Sequence, residues 1–188
     1  MEKSIEQQAA NCIKVVLFGP ESTGKTTLSQ QLAAHYQTEW VPEFARDYLQ
    51  EKWDKEQKSC EPKDLMPIAV GQMALENELA QQADKILICD TDLLETKVYS
   101  EIYYDGYCPE PIAKAALSHH YDLYFLTDID VPWEADDLRD RPQLRRAMFE
   151  AFKATLDRYQ KPYILLTGFK EVRFETAVKS IEALMGKS

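Results

Sequence analysis

Four short apolar runs punctuate this chain: residues 13–18 (IKVVLF), 85–89 (KILIC), 121–126 (YDLYFL) and 163–167 (YILLT). Each is short, rich in β-branched or aromatic residues, and reads as a buried parallel strand. Between them lie longer stretches with helical spacing. Leu144, Met148, Phe152, Leu156 and Tyr159 follow Pro142, which is well placed in a first helical turn. Residues 27–36 and 93–104 carry similar patterns. Strands that alternate with helices predict an α/β sheet with right-handed crossovers and ligands beyond the carboxyl ends of the strands. The polar stretch 51–63 reads as a surface excursion, and no repeat, low-complexity tract or linker divides the chain. One domain over residues 1–188 is expected.

The chemistry-bearing segments fall at the strand ends. Residues 19–26, GPESTGKT, match G-x-x-x-x-G-K-[ST] directly after the first strand and before a helix pattern. Gly19 and Gly24 let the backbone turn its N–H groups onto a phosphate, and the following helix N-terminus adds partial positive charge. Lys25 would reach the β- and γ-phosphates, and the Thr26 hydroxyl would ligate Mg²⁺. Glu21, Ser22, Thr23 and Thr27 complete a nucleotide-binding segment over residues 19–27. The expected fold is therefore a three-layer P-loop NTPase with a mainly parallel sheet, a short lid, ATP as co-substrate and Mg²⁺ as its metal.

The run ILICDTD puts Asp90 at the end of a strand, where a carboxylate can hold Mg²⁺ opposite Thr26, and Asp92 on the same loop. Either aspartate could instead cap the helix that begins near Leu93. Glu43 and Arg46, in WVPEFARDY, read equally as a substrate-binding pair or as a first-turn glutamate with its ion-pair partner. After the third run, residues 128–142 combine Trp133, Asp136, Asp137, Arg139 and Arg141 with little apolar pattern. A kinase needs a cover that keeps water from accepting the phosphoryl group, and arginines in such a cover stabilise the transferring charge. A solvated charged loop is the alternative. Tyr99, Tyr103 and Tyr104 lie on the same helix pattern, with core packing as their ordinary role.

Charge narrows the partners. A formal net charge of −10 over 188 residues repels nucleic acid at long range, which favours a small-molecule substrate. Cys12, Cys60, Cys89 and Cys108 form no CxxC pair, so neither a zinc site nor a redox dithiol is indicated. The polar start MEKSIEQQAAN and the lack of any long apolar run predict a cytoplasmic protein with no membrane association.

With GPESTGKTTL, VPEFARDYL, CDTDLLETKVY and WEADDLR in order, the chain resembles the ribosylnicotinamide kinase domain of NadR-type proteins over residues 15–168. The resemblance implies a P-loop kinase that transfers phosphate from ATP to the ribose 5′-hydroxyl of nicotinamide riboside, a step of NAD biosynthesis. It implies that Asp90 and Asp92 lie near Mg²⁺ and the substrate hydroxyl, that Glu43 and Arg46 match family positions after the second strand, and that Trp133, Asp137 and Arg139 match the family's lid. Taken with the residue reading, Lys25, Asp90, Asp92, Arg139 and Arg141 are the expected catalytic residues, and Glu43, Arg46, Asp92, Tyr103, Trp133 and Asp137 the expected substrate contacts. Thr26 and Asp90 would serve the metal. Full-length members also carry a DNA-binding segment and an adenylyltransferase domain, for which this chain has no room, and His35, His119 and His120 form no HxGH signature. Two alternatives share the loop: a kinase of another nucleoside or nucleoside monophosphate, and an NTP-driven switch or ATPase, although no NKxD signature is present.

Overall fold

The computed structural model describes residues 4–134, 138 and 142–186. Its elements run β1 (Ile13–Phe18), α1 (Lys25–Tyr36), β2 (Trp40–Val41), α2 (Phe44–Glu56), α3 (Leu65–Gln82), β3 (Ile86–Asp90), α4 (Leu93–Tyr103), α5 (Glu110–Ser118), β4 (Leu123–Thr127), α6 (Arg145–Arg158), β5 (Tyr163–Leu166) and α7 (Lys170–Met185). The five strands form one parallel sheet in the order β2-β3-β1-β4-β5. β1 is central, so the segment that follows it emerges at the middle of the sheet's carboxyl edge.

Side chains alternate across a strand, and here that alternation divides the core in two. Val16, Phe18, Leu87, Cys89, Tyr124 and Leu126 point to one face, which α3, α4, α5 and α6 cover with Met73, Leu94, Ile112 and Phe152. Val15, Leu17, Ile86, Ile88, Leu123 and Phe125 point to the other, covered by Leu28 and Leu32 of α1 and by Ala177 and Ile181 of α7. Three layers result. Phe18 anchors the larger core with edge-on contacts to Tyr124 and Phe152. Each fully buried side chain of this size contributes about 1.5–3 kcal/mol relative to exposure.

Three expectations need correction. β2 has only two residues, too short for a periodic signal, yet it pairs Trp40 with Ile88 and forms one sheet edge. β5 is not buried: as the other edge strand it leaves Leu165 40% exposed. Residues 51–56 are the last turns of α2, and Lys52 there is buried against Asp64 (2.5 Å) and Glu61 (2.7 Å), so the presumed excursion is tied into the fold. Among the described residues no helix is long and apolar enough to cross a membrane.

Candidate active site

The loop after β1 is shaped by two conformations that most residues avoid. Gly19 has φ +143°, and a Cβ there would stand 2.6 Å from the Thr127 hydroxyl, so only glycine fits beside the end of β4. Gly24, at φ +83°, opens α1. Thr23 closes the loop from below, bonding Pro20 O at 2.8 Å and the Thr127 hydroxyl at 2.7 Å. Two guanidinium groups hold its carbonyls from outside: Arg145 donates to Ser22 O at 2.9 Å and buried Arg173 to Thr23 O at 2.7 Å. Arg173 also bonds Gly168 O, Asp128 O and the Asp130 carboxylate, which ties α7 to the loops after β4 and β5.

Strand register brings the acidic strand end to this loop. Leu17 of β1 pairs with Asp90 of β3, so Asp90 stands beside the residues that enter the loop. Thr26 Oγ donates to Asp90 Oδ2 at 2.5 Å, while Asp90 Oδ1 is buried with no hydrogen-bond partner among the described residues. Burial, followed by the nearby Glu43 charge, pushes Asp90 up to about 6, with Lys25 and Thr26 opposing. Thr91 follows at φ +86°, an uncommon conformation for a β-branched residue, with its N–H on Leu17 O at 3.1 Å. Strain of this kind costs about 1–3 kcal/mol and collects at functional sites.

Lys25 is deeply buried. Its ammonium donates to Gly19 O at 2.7 Å and Pro20 O at 3.0 Å and lies 3.2 Å from Glu95. Burial opposes its charge, but Glu95, Glu43 and Asp90 outweigh that and hold its pKa above the ordinary lysine value.

Asp92 takes the capping role rather than a place in the cleft wall. It is the N-cap of α4: one oxygen accepts Glu95 N–H at 3.0 Å and the other the Tyr124 hydroxyl at 2.7 Å. With 1% exposure and both oxygens engaged, its carboxylate is committed to the fold. Burial raises it to about 6 although both hydrogen bonds favour the charged form.

The cleft over this loop has a volume of about 540 Å³, within the range of roughly 300–1,000 Å³ common for ligand sites. Residues 21–28 form its floor, Glu43 and Arg46 one wall, and Phe169 with Lys170 its rim. Glu43 precedes α2 as its N-cap residue without a side-chain capping bond. Buried Gln72 of α3 fixes that junction by accepting from Phe44 N–H at 2.8 Å and donating to Pro42 O at 3.2 Å. Tyr99 also lines the cleft, its ring edge-on to Phe152 and tilted against Tyr103, with its hydroxyl buried and unpaired among the described residues. Tyr103 thus supports Tyr99, and Trp133 lies under the Arg145 guanidinium at 5.8 Å. Val131, Pro132, Glu134 and Leu138, which follow β4, also border the cleft. Asp136, Asp137, Arg139 and Arg141 lie outside the described residues.

Among the described residues no group of three or more His, Cys, Asp or Glu side chains could hold a metal ion. Mg²⁺ does not require one, because it binds through one or two protein oxygens and completes its shell with water and substrate phosphates. The Thr26 hydroxyl, Asp90 Oδ2 and the unpaired Asp90 Oδ1 fit that donor set.

Sequence reasoning missed Glu95, Arg145, Arg173 and Phe169. Asp92 and Glu95 match the D-x-x-E capping pattern, which gives Glu95 an ordinary explanation and hides its contact with Lys25. Arg145 and Arg173 sit in charged helix starts whose pattern carries no hint of distant carbonyls. Phe169 is 80% exposed at the cleft rim, so it left no trace in apolar periodicity.

Comparisons with known proteins agree with this architecture. A family model described as an AAA domain matches residues 14–173. The trifunctional NAD biosynthesis/regulator protein NadR of Salmonella typhimurium is 29% identical over 146 residues, which cover 74% of this chain and 35% of that protein. The chain therefore spans about a third of that relative's length. A crystal structure of NadR protein in complex with NR superposes with a TM-score of 0.72 at 22% identity, covering 94% of this chain and 52% of the other. A second, NadR with NAD and AMP-PNP, gives 0.74 at 22% identity, covering 94% and 50%.

Proposed function

This chain belongs to the AAA-domain family, and from that membership and the geometry of the cleft we propose that it is an ATP-dependent kinase of a small nucleoside-like substrate, with nicotinamide riboside as the acceptor. The observation that carries the reading is the Thr26–Asp90 contact at 2.5 Å, which joins a phosphate-binding loop to a strand-end carboxylate beneath one cleft. NadR relatives, one of them solved with NR and another with AMP-PNP, support the choice of acceptor and of triphosphate.

In this reading the loop N–H groups and Lys25 bind the triphosphate, and Thr26 and Asp90 would hold Mg²⁺, which would supply positive charge to offset the charge that develops in transfer. Glu43 and Arg46 form the acceptor wall. The acceptor hydroxyl attacks the γ-phosphorus, the bond to the β,γ-bridging oxygen breaks, and ADP leaves. Glu43 is the carboxylate on that wall able to orient the hydroxyl and take its proton. Residues 128–142, with Arg139 and Arg141, would close over the reacting groups and exclude water.

The test is ADP release with Mg·ATP over a panel of nicotinamide riboside, other nucleosides, nucleoside monophosphates and no acceptor. Release that depends on nicotinamide riboside is expected, with nicotinamide mononucleotide as the product. Release that depends on another acceptor would reassign the substrate, and release without any acceptor would make the protein an ATPase.

A further inference from the structure

We propose that Glu95 is the internal counter-ion of the phosphate loop: it holds Lys25 inside the protein, competes with the triphosphate for that lysine, and so weakens nucleotide binding and speeds product release. The inference rests on residues 19–27 being a nucleotide site, and on no particular acceptor.

An ammonium has three N–H donors. Those of Lys25 meet three protein acceptors: Gly19 O, Pro20 O and the Glu95 carboxylate. Contact with a phosphate oxygen therefore replaces a protein contact, and Glu95 is the charged member of the three. Its second oxygen accepts the Gly19 N–H at 3.3 Å, so one side chain engages both the first residue of the loop and its lysine.

This is not how a glutamate in that position ordinarily behaves. Glu95 is the third residue of α4, where an acidic side chain turns back to the N–H of the N-cap residue. The Glu95 backbone does bond Asp92, but its carboxylate runs to α1 and the loop instead. It does so at 2% side-chain exposure, where an unpaired carboxylate is strongly disfavoured.

The groups around it sharpen the competition. Burial works against its charge and Lys25 is the opposing cation, while Glu43 from the start of α2, Asp90 from the end of β3 and Asp92 from its own cap are like charges that add to the burial effect, and Tyr99 lies one turn along α4. A triphosphate that takes Lys25 must displace a carboxylate and then share the site with it. Removing that charge removes both penalties. The sign of the effect is diagnostic, because loss of a merely structural support would loosen the loop and weaken binding.

Affinities of Mg·AMP-PNP and Mg·ADP for the parent, Glu95→Gln and Glu95→Asp, measured by calorimetry, test this, with circular dichroism to show that each is folded. Glu95→Gln is expected to bind both nucleotides about three- to tenfold tighter and to release ADP more slowly by a similar factor. Glu95→Asp, which keeps the charge but shortens the reach to Lys25, should fall between it and the parent. Equal or weaker binding by a folded Gln variant overturns the proposal while leaving the nucleotide site intact. Should the Gln variant not fold, the Asp variant decides: tighter binding supports the proposal, and equal or weaker binding overturns it. A parent that binds neither nucleotide removes the nucleotide site itself, and this inference with it.

Discussion

The Thr26 hydroxyl lies 2.5 Å from Asp90 Oδ2, so α1, which begins one residue earlier, and β3, which ends at that aspartate, converge on one pair of oxygens. The pairing of Leu17 with Asp90 sets that convergence. Asp90→Asn keeps the size of the side chain and removes its charge. The Mg²⁺ concentration for half-maximal turnover should rise roughly tenfold, while acceptor saturation changes little. An unchanged Mg²⁺ requirement would take Asp90 out of the metal site.

Lys25 is expected to be indispensable for turnover, but its burial changes what its removal does to the fold. In the structure it is 7% exposed and paired with Glu95. Burial works against the Glu95 carboxylate, and Lys25 opposes that effect. Lys25→Met leaves this carboxyl buried without its cation, so it should cost about 3 kcal/mol of stability, and Lys25→Met/Glu95→Gln should recover most of it, as read by urea unfolding. Equal losses in the single and double variants would identify another group.

Much of this arrangement is legible in the sequence because it is local. The phosphate loop, the strand–loop–helix context around it and the aspartate after ILIC are each contained in a few consecutive residues. What the sequence hides is distant or short. Arg173 reaches Thr23 across 150 positions, β2 is two residues long, and Glu95 has a complete local explanation as a capping residue. Asp92 shows the converse: a metal-binding or substrate-binding motif position and a helix cap look identical in sequence, and Tyr124, 32 residues away, decides between them.

The buried pair Lys52–Asp64 predicts a pH effect on stability far from the cleft. Burial works against the charge of Asp64, but the hydrogen bonds from Lys52, the Glu61 N–H and Tyr48, with the Lys52 charge, together outweigh it and hold the carboxyl below its ordinary 3.8. A depressed carboxyl contributes stability above its unfolded pKa and loses it as pH falls through the lower folded value. Asp64→Asn should be about 2 kcal/mol less stable near pH 7, with the gap to the parent closing below about pH 4. A gap that persists in acid would mean that the substitution acts through packing.

Gly71 sets the wall that carries Glu43. A Cβ on Gly71 would fall 2.1 Å from the Phe44 ring, so α2 can lie against α3 only because position 71 has no side chain. Gly71→Ala should destabilise the protein by about 1–3 kcal/mol in urea unfolding and raise the acceptor KM as Glu43 and Arg46 shift. Phe44→Leu on that background should restore part of both. Full stability in Gly71→Ala would contradict the close approach.

On the proposed reading Asp92 and Glu43 are the two candidate carboxylates for the acceptor hydroxyl, and their surroundings separate them. Both oxygens of Asp92 are used, by the Glu95 N–H and the Tyr124 hydroxyl, whereas Glu43 lines the cleft and makes no side-chain capping bond. Asp92→Asn keeps a cap acceptor, but it places an amide against either the α4 N–H or the Tyr124 hydroxyl and leaves one buried group poorly matched. It should cost about 1–2 kcal/mol of stability, with turnover reduced only as far as α4 shifts. Tyr124→Phe removes the competing hydroxyl, so the double variant should lose less than the sum of the two single losses. Glu43→Gln should leave stability within about 0.5 kcal/mol and lower kcat or raise the KM for nicotinamide riboside by tenfold or more. Thermal unfolding and acceptor saturation curves on the same preparations separate the two residues. A stable Asp92→Asn that loses turnover, beside a fully active Glu43→Gln, would return the acceptor role to Asp92.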